Sequence, residues 1–338
     1  MAAQRIKVLV VDDSLVFREV LSRGISSDPD IDVVATAVDP FDARNKIIKY
    51  RPDIMTCDIQ MPKMNGIEFI KRLLPQYPLP VIVVSTVSNA VFEAMHAGAV
   101  DFVTKPNVQS VTSMENFINE MINKIKIAAK AKIIPNTQST AEIVESSSNC
   151  AGKIIAMGAS TGGTEAIFQV LKTLPAATPG IVIVQHIPPV FSKMFADRLD
   201  SSTILKVKEA VTGDWVEPGK VLIAPGDQHM KIVRVGAKYK VRCFQGDKVN
   251  GHCPSVDVLF ESVAKEAGNN AIGIILTGMG YDGARGLLAM KRKGAFTIGQ
   301  DEKSSVVYGM PKVAFEIGAL AKQASLDNIP KLIFSHNW

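Results

Sequence analysis

The pentapeptide Gly158-Ala-Ser160-Thr-Gly162 places a serine in a G-x-S-x-G pattern, flanked by small residues that let the chain bend sharply and leave a hydroxyl exposed. Ahead of it, Ile154-Ile-Ala-Met157 is an apolar run expected to form a buried strand. Behind it, Ile167, Val170, Leu171 and Leu174 recur at helical spacing. A helix in that position aims free backbone N–H groups and its positive dipole end at the turn, which suits a developing oxyanion. A glycine-rich turn can also cradle a phosphate or simply pack. The dinucleotide fingerprint fails, because Ser160 stands where the second glycine would approach a pyrophosphate. A P-loop fails as well, because no Lys-Ser/Thr follows the glycines. The turn alone leaves a nucleophile and a packing element both open.

A serine nucleophile needs a base within reach and a group to orient that base. Gly180-Ile-Val-Ile-Val-Gln185 reads as a second buried strand, and His186 stands just past its end. Pro188 and Pro189 stop any continuation there. Ala271 to Leu276 reads as a third strand, ending in the glycine-rich loop Thr277-Gly-Met-Gly-Tyr-Asp-Gly-Ala-Arg-Gly286. Asp282 in that loop could be a helix N-cap. With Ser160 and His186 at neighbouring strand ends, the better reading is the third member of a triad that holds the imidazole and stabilises its charged form. The order Ser, His, Asp differs from the Ser, Asp, His order of α/β-hydrolases. His252 beside Cys253 finds no further ligand or base at useful spacing.

A second constellation lies in the first third of the chain. Asp12, Asp13, Asp58, Ser85 and Lys105 each fall at the end of an apolar run that reads as a strand. Clustered carboxylates repel one another unless a hard divalent cation such as Mg²⁺ sits among them. The cation and Lys105 would neutralise a phosphoryl group arriving on Asp58, and the Ser85 hydroxyl could hydrogen-bond it.

The elements that must position both clusters alternate strand and helix in each half, which predicts two doubly wound parallel sheets. In such sheets the functional crevice lies outside the carboxyl ends of the strands. The expected boundaries are 1–125 for the first domain, 126–150 for a Ser/Thr-rich linker and 151–338 for the second, where Leu205 to Val249 reads as strands and hairpins. The 338 residues carry a net charge of +5, with scattered Lys and Arg and 6% aromatics, which gives no nucleic-acid footprint. Four cysteines without paired spacing fit reduced thiols. There is no signal-peptide pattern and no run long enough to span a bilayer, so a cytoplasmic location without membrane insertion is expected.

Asp12-Asp13, Asp58 before Met61-Pro-Lys-Met-Asn-Gly66, Ser85 and Lys105-Pro106 resemble the receiver domain of two-component response regulators. That resemblance implies a flavodoxin-like fold, phosphorylation of Asp58 by a histidine kinase, and Mg²⁺ held by Asp13, Asp58 and the Gln60 carbonyl beside Asp12. It also implies switch roles for Ser85, Lys105 and Phe102, the last as a rotating aromatic. The second half is similar to chemotaxis protein-glutamate methylesterase catalytic domains in Gly158 to Gly163, Gln185-His186, Gly251-His-Cys-Pro-Ser-Val-Asp257, Leu276 to Gly283, Gln300-Asp-Glu302 and Gly309-Met-Pro311. This implies a Rossmann-like domain that hydrolyses glutamate γ-methyl esters and deamidates glutamines on chemoreceptor helices. Ser160, His186 and Asp282 fall on that family's nucleophile, base and acid. Met279 falls on its oxyanion-hole position, with the Thr161 amide as partner. No cofactor is expected for the esterase chemistry.

Overall fold

The computed structural model describes residues 5–86, 89–106, 111–133 and 152–336. The chain divides into two compact units, Met1–Gln138 and Ser139–Trp338. The linker expected over 126–150 lies mostly outside the described residues, and its first three residues belong to a helix that runs to Ala128.

The first unit alternates β1 (Ile6–Val11), α1 (Leu15–Ile25), β2 (Ile31–Ala37), α2 (Pro40–Tyr50), β3 (Ile54–Asp58), α3 (Gly66–Leu73), β4 (Val81–Ser85), α4 (Ala90–His96), β5 (Asp101–Thr104) and α5 (Val111–Ala128). Its five strands pair in parallel in the order β2-β1-β3-β4-β5. The order reverses between β1 and β3, so the crevice opens beyond their carboxyl ends. β3 and β4 are buried along their whole length, as strands covered by helices on both faces must be.

The second unit runs β6 (Ile154–Ala159), α6 (Gly163–Leu171), β7 (Gly180–Gln185), α7 (Phe191–Ser202), β8 (Lys206–Glu209), β9 (Trp215–Val216), β10 (Lys220–Ile223), β11 (His229–Val235) and β12 (Lys238–Phe244). It continues through α8 (Val256–Glu266), β13 (Ala271–Ile275), α9 (Ala284–Arg292), β14 (Phe296–Gln300), α10 (Met310–Glu316), β15 (Lys322–Ala324) and α11 (Ile329–Ser335). Seven strands form one parallel sheet, β15-β14-β13-β6-β7-β10-β8. Of the segment expected as hairpins, β8 and β10 instead extend this sheet, and only β9, β11 and β12 make a separate antiparallel one. The three central strands β13, β6 and β7 are buried at every residue. The chain order reverses between β6 and β13. Ser160 follows β6, His186 follows β7 and Asp282 lies beyond β13, so three adjacent strand ends supply the three residues.

Candidate active site and phosphoryl-acceptor site

The Ser160 turn is held by its glycines and by a neighbouring side chain. Gly162 takes a left-handed φ of 75° before α6 begins. A Cβ on Gly163 would fall 2.1 Å from Gln185 Oε1, so only glycine lets Gln185 pack there. The Gln185 amide Nε2 donates to the carbonyls of both Ser160 (2.9 Å) and His186 (3.1 Å), tying the two strand ends together. The Ser160 amide donates to Thr277 O (3.0 Å), and the His186 amide to Ala159 O (3.1 Å).

His186 Nε2 lies 2.9 Å from Asp282 Oδ2. A carboxylate only accepts, so the proton sits on Nε2. The other ring nitrogen, Nδ1, is buried with no hydrogen-bond partner. Among the described residues no side chain, Ser160 included, makes a hydrogen bond to it. Beside it His252 stacks on the His186 ring, with centroids 3.6 Å apart and planes 9° from parallel. Burial, helped by the neighbouring His186, pushes the His252 imidazole down to about 4, so His252 is neutral at ordinary pH. It covers the His186 ring as an uncharged neighbour.

Asp282 is fully buried and does not cap the helix after it; Gly283, at φ 88°, is the N-cap of α9. Its carboxylate accepts from Ser255 Oγ (2.8 Å), Asn250 Nδ2 (2.8 Å) and the amides of Val256 (2.7 Å) and Asp257 (3.2 Å), besides His186. Those amides open α8, so the positive end of that helix faces the carboxylate. Burial pushes the Asp282 carboxyl up, but the His186, Asn250 and Val256 hydrogen bonds outweigh it and hold it well below the usual range. Ser255 is placed in turn by His229, whose Nδ1 accepts from the Ser255 amide at 3.2 Å.

The Met279 loop is clamped from the opposite side. Thr277 N donates to Gln300 Oε1 (2.7 Å), and the amides of Gly309 and Met310 donate to Gly278 O. A Cβ on Gly309 would lie 2.6 Å from that carbonyl, which accounts for glycine there. Met279 is half exposed at the tip, and Thr161 is buried, with Thr277 Oγ1 donating to its carbonyl at 3.0 Å.

In the first unit Lys105 Nζ lies 2.6 Å from Asp58 and 2.7 Å from Asp12. Asp58 and Asp12 are buried and Asp13 is exposed; one oxygen of each lies within 4.8 Å of the others. Arg18 donates to the carbonyls of Asp12 (2.7 Å) and Asp13 (3.0 Å), which fixes the acidic turn. Burial pushes the Asp58 carboxyl up, and Lys105 together with the Gln60 amide does not fully reverse it against the neighbouring Asp12. Three hard oxygen donors around an incompletely offset charge fit a hard divalent cation. Ser85 is buried at the end of β4 beside this cluster. Phe102 is buried in β5 and meets Phe92 edge-on at 6.4 Å.

Sequence reasoning placed every triad and acidic-cluster residue at a strand end but missed Asn250, Ser255, His229 and the stacking of His252. Asn250-Gly251 is a strong turn signal and could have marked the first of these.

Residues 8–114 match the model of the response regulator receiver domain, and residues 155–333 match that of CheB methylesterase. A protein-glutamate methylesterase/protein-glutamine glutaminase 2 from Syntrophomonas wolfei is 55% identical over 99% of this chain and 98% of its own length. A protein-glutamate methylesterase/protein-glutamine glutaminase from Escherichia coli is 45% identical over 96% of this chain and 95% of its own. The crystal structure of the Thermotoga maritima CheB methylesterase catalytic domain superposes with a TM-score of 0.53 at 39% identity, covering 54% of this chain and 98% of that one. With a receiver ahead of a methylesterase domain and relatives aligned along its whole length, the chain belongs to the CheB methylesterase family.

Proposed function

We propose that this protein is a phosphorylation-regulated serine hydrolase that removes methyl groups from glutamate γ-methyl esters of chemoreceptors and deamidates particular receptor glutamines. The observation that supports the chemistry is the His186–Asp282 contact at a strand end that Gln185 ties to the Ser160 turn, with Nδ1 left without a hydrogen-bond partner. Ser160 Oγ attacks the ester carbonyl and its proton passes to Nδ1. The carbonyl oxygen becomes an oxyanion, for which the Met279 and Thr161 amides are the proposed donors. Collapse of that intermediate expels methanol, which leaves with the proton from Nδ1, and a glutamyl ester remains on Ser160. Water then attacks that ester, Nδ1 takes its proton and returns it to Ser160 Oγ, and glutamate is released. A glutamine substrate gives ammonia in the first half instead of methanol.

In the receiver, Asp58 takes the phosphoryl group from a chemotaxis histidine kinase. Asp12, Asp13, Asp58 and the Gln60 carbonyl would hold Mg²⁺, whose charge lets the phosphoryl oxygens approach the acidic cluster. Lys105 and Ser85 then contact the bound phosphoryl oxygens, and Phe102, already buried, changes rotamer behind Ser85. Receptor tails and kinase put the reaction in the cytoplasm. Among the described residues no helix is long and apolar enough to cross a membrane. The test is methanol release from receptor membranes carrying labelled methyl esters. The expected result is release by the intact protein and a loss of at least about 10³-fold in Ser160→Ala, with the fold retained. Equal release by both proteins would sink the assignment.

A further inference from the structure

Two aspartates in the hydrolase unit exchange helix caps. Asp282, just ahead of α9, accepts from the first amides of α8. Asp257, in the first turn of α8, accepts from the Gly286 amide in the first turn of α9 at 2.6 Å. Both carboxyls are buried, and they face each other as like charges. Burial, with the nearby Asp282, pushes the Asp257 carboxyl up, whereas that of Asp282 is held down.

One side chain stands between them. Asn250 Nδ2 donates to Asp257 Oδ2 at 2.7 Å and to Asp282 Oδ1 at 2.8 Å. A primary amide has two N–H donors and here both are used, one on each carboxylate. A hydroxyl has one donor and could not bridge the pair. Asn250 reaches this place because it opens a two-residue turn: the amides of Val249 and His252 each donate to the other's carbonyl at 3.0 Å, and Asn250 and Gly251 take φ values of 54° and 84°. Asn-Gly is the dipeptide such a turn favours, since both central residues need positive φ. The residue closing the turn, His252, lies on the His186 ring.

We infer that Asn250 is a positioning residue for the hydrolase, an amide bridge that keeps the Asp282 carboxylate aimed at His186 Nε2 in spite of the second buried carboxylate beside it. The inference rests on the triad reading above. Without the bridge, Asp282 Oδ1 loses one donor and meets Asp257 with nothing between them. The pair can then turn apart or share a proton, and either change moves the oxygen that His186 needs. The triad itself, the binding surface and the turn would remain.

Asn250→Gly is the informative variant, because glycine accepts the positive φ and removes only the amide. Its kcat on methylated receptors should fall about ten- to hundredfold, the size of a lost hydrogen bond to a charged group, with KM within twofold. The melting temperature should move by only a few degrees. A double-mutant cycle separates positioning from a generally loosened site. In an Asp282→Asn background, Asn250→Gly should cost less than about twofold, because the amide acts through Asp282. An unchanged kcat in Asn250→Gly, or a full loss repeated in the Asp282→Asn background, would overturn the inference. Ser160→Ala, run alongside, reports separately on the triad: if that variant keeps wild-type activity, the hydrolase reading itself has failed.

Discussion

Each half of the molecule sets an aspartate at or beyond the carboxyl end of a central parallel strand, yet the two carboxyls are tuned in opposite directions. Asp282 is surrounded by donors: a histidine ring, a serine hydroxyl, an asparagine amide and two amides at a helix N-terminus. Asp58 has Lys105 and the Gln60 amide at 3.2 Å, and shares the lysine with Asp12. Burial raises both carboxyls, and only at Asp282 do the hydrogen bonds win. The difference matches the work proposed for each. An orienting acid must stay anionic and fixed, so its lone pairs are filled. A phosphoryl acceptor must keep an oxygen open to a reagent, so its lone pairs are left incompletely served, an arrangement that suits a hard cation.

The largest expected effects come from removing each carboxylate in turn. Asp58→Asn should abolish labelling by acetyl phosphate and leave basal esterase activity within about twofold, because no step of the ester hydrolysis passes through it. Persistence of label on that variant would place the acceptor elsewhere. Asp282→Asn should do the reverse, leaving phosphorylation intact and lowering kcat by about 10⁴-fold, as loss of the correct imidazole tautomer does in related triads. If either change disables both activities, the two sites are not the separate devices the comparison makes them. A smaller effect is expected from Ser255→Ala. It removes one of five donors to Asp282 and should cost a few-fold in kcat, since Asn250, His186 and the α8 amides remain. A loss as large as that of Asp282→Asn would mean that Ser255 has a role beyond holding the acid.

The strand ends were legible in the sequence because buried parallel strands are short apolar runs, and the residues just past each run land in the crevice. Ser160, His186, Asp282 and the acidic cluster were proposed that way, and the structure sets them at or beyond neighbouring strand ends. The support around Asp282 was not legible. Asn250, Ser255 and Asp257 lie 25 to 32 positions before it, and their contacts depend on two helices capping one another, which leaves no periodic trace. β8 misled for a different reason. As the outer strand of its sheet it exposes alternate residues, so Lys206-Val-Lys-Glu209 has the in-out pattern of a hairpin strand. Its neighbour β10 is short and comes after a turn, and neither run shows from its own residues that its partner is parallel.

The finest test of the comparison is thermal stability against pH. The Asp58 carboxyl is raised in the folded receiver, so the folded state binds its proton more tightly than the unfolded chain does. Its contribution to stability is therefore complete below the ordinary aspartate value of 3.8, and is lost as pH rises through the elevated folded value. Above that elevated value the ionised Asp58 is a cost, which Asp58→Asn removes. That variant should melt a few degrees higher than wild type in the receiver transition at pH 7, and the gain should shrink as pH is lowered toward 4. Asp282 has the opposite sign. Its depressed carboxyl stabilises the hydrolase unit above the ordinary range and loses that contribution only as pH falls well below it. Asp282→Asn should therefore lower the hydrolase transition at pH 7, with the deficit narrowing only in strong acid. Calorimetric scans of the two variants and the wild type between pH 4 and 8 read both signs at once, provided the two units melt separately. If Asp58→Asn lowers the receiver transition at neutral pH, then Lys105 and the Gln60 amide already satisfy that carboxylate, and the contrast between the two sites disappears.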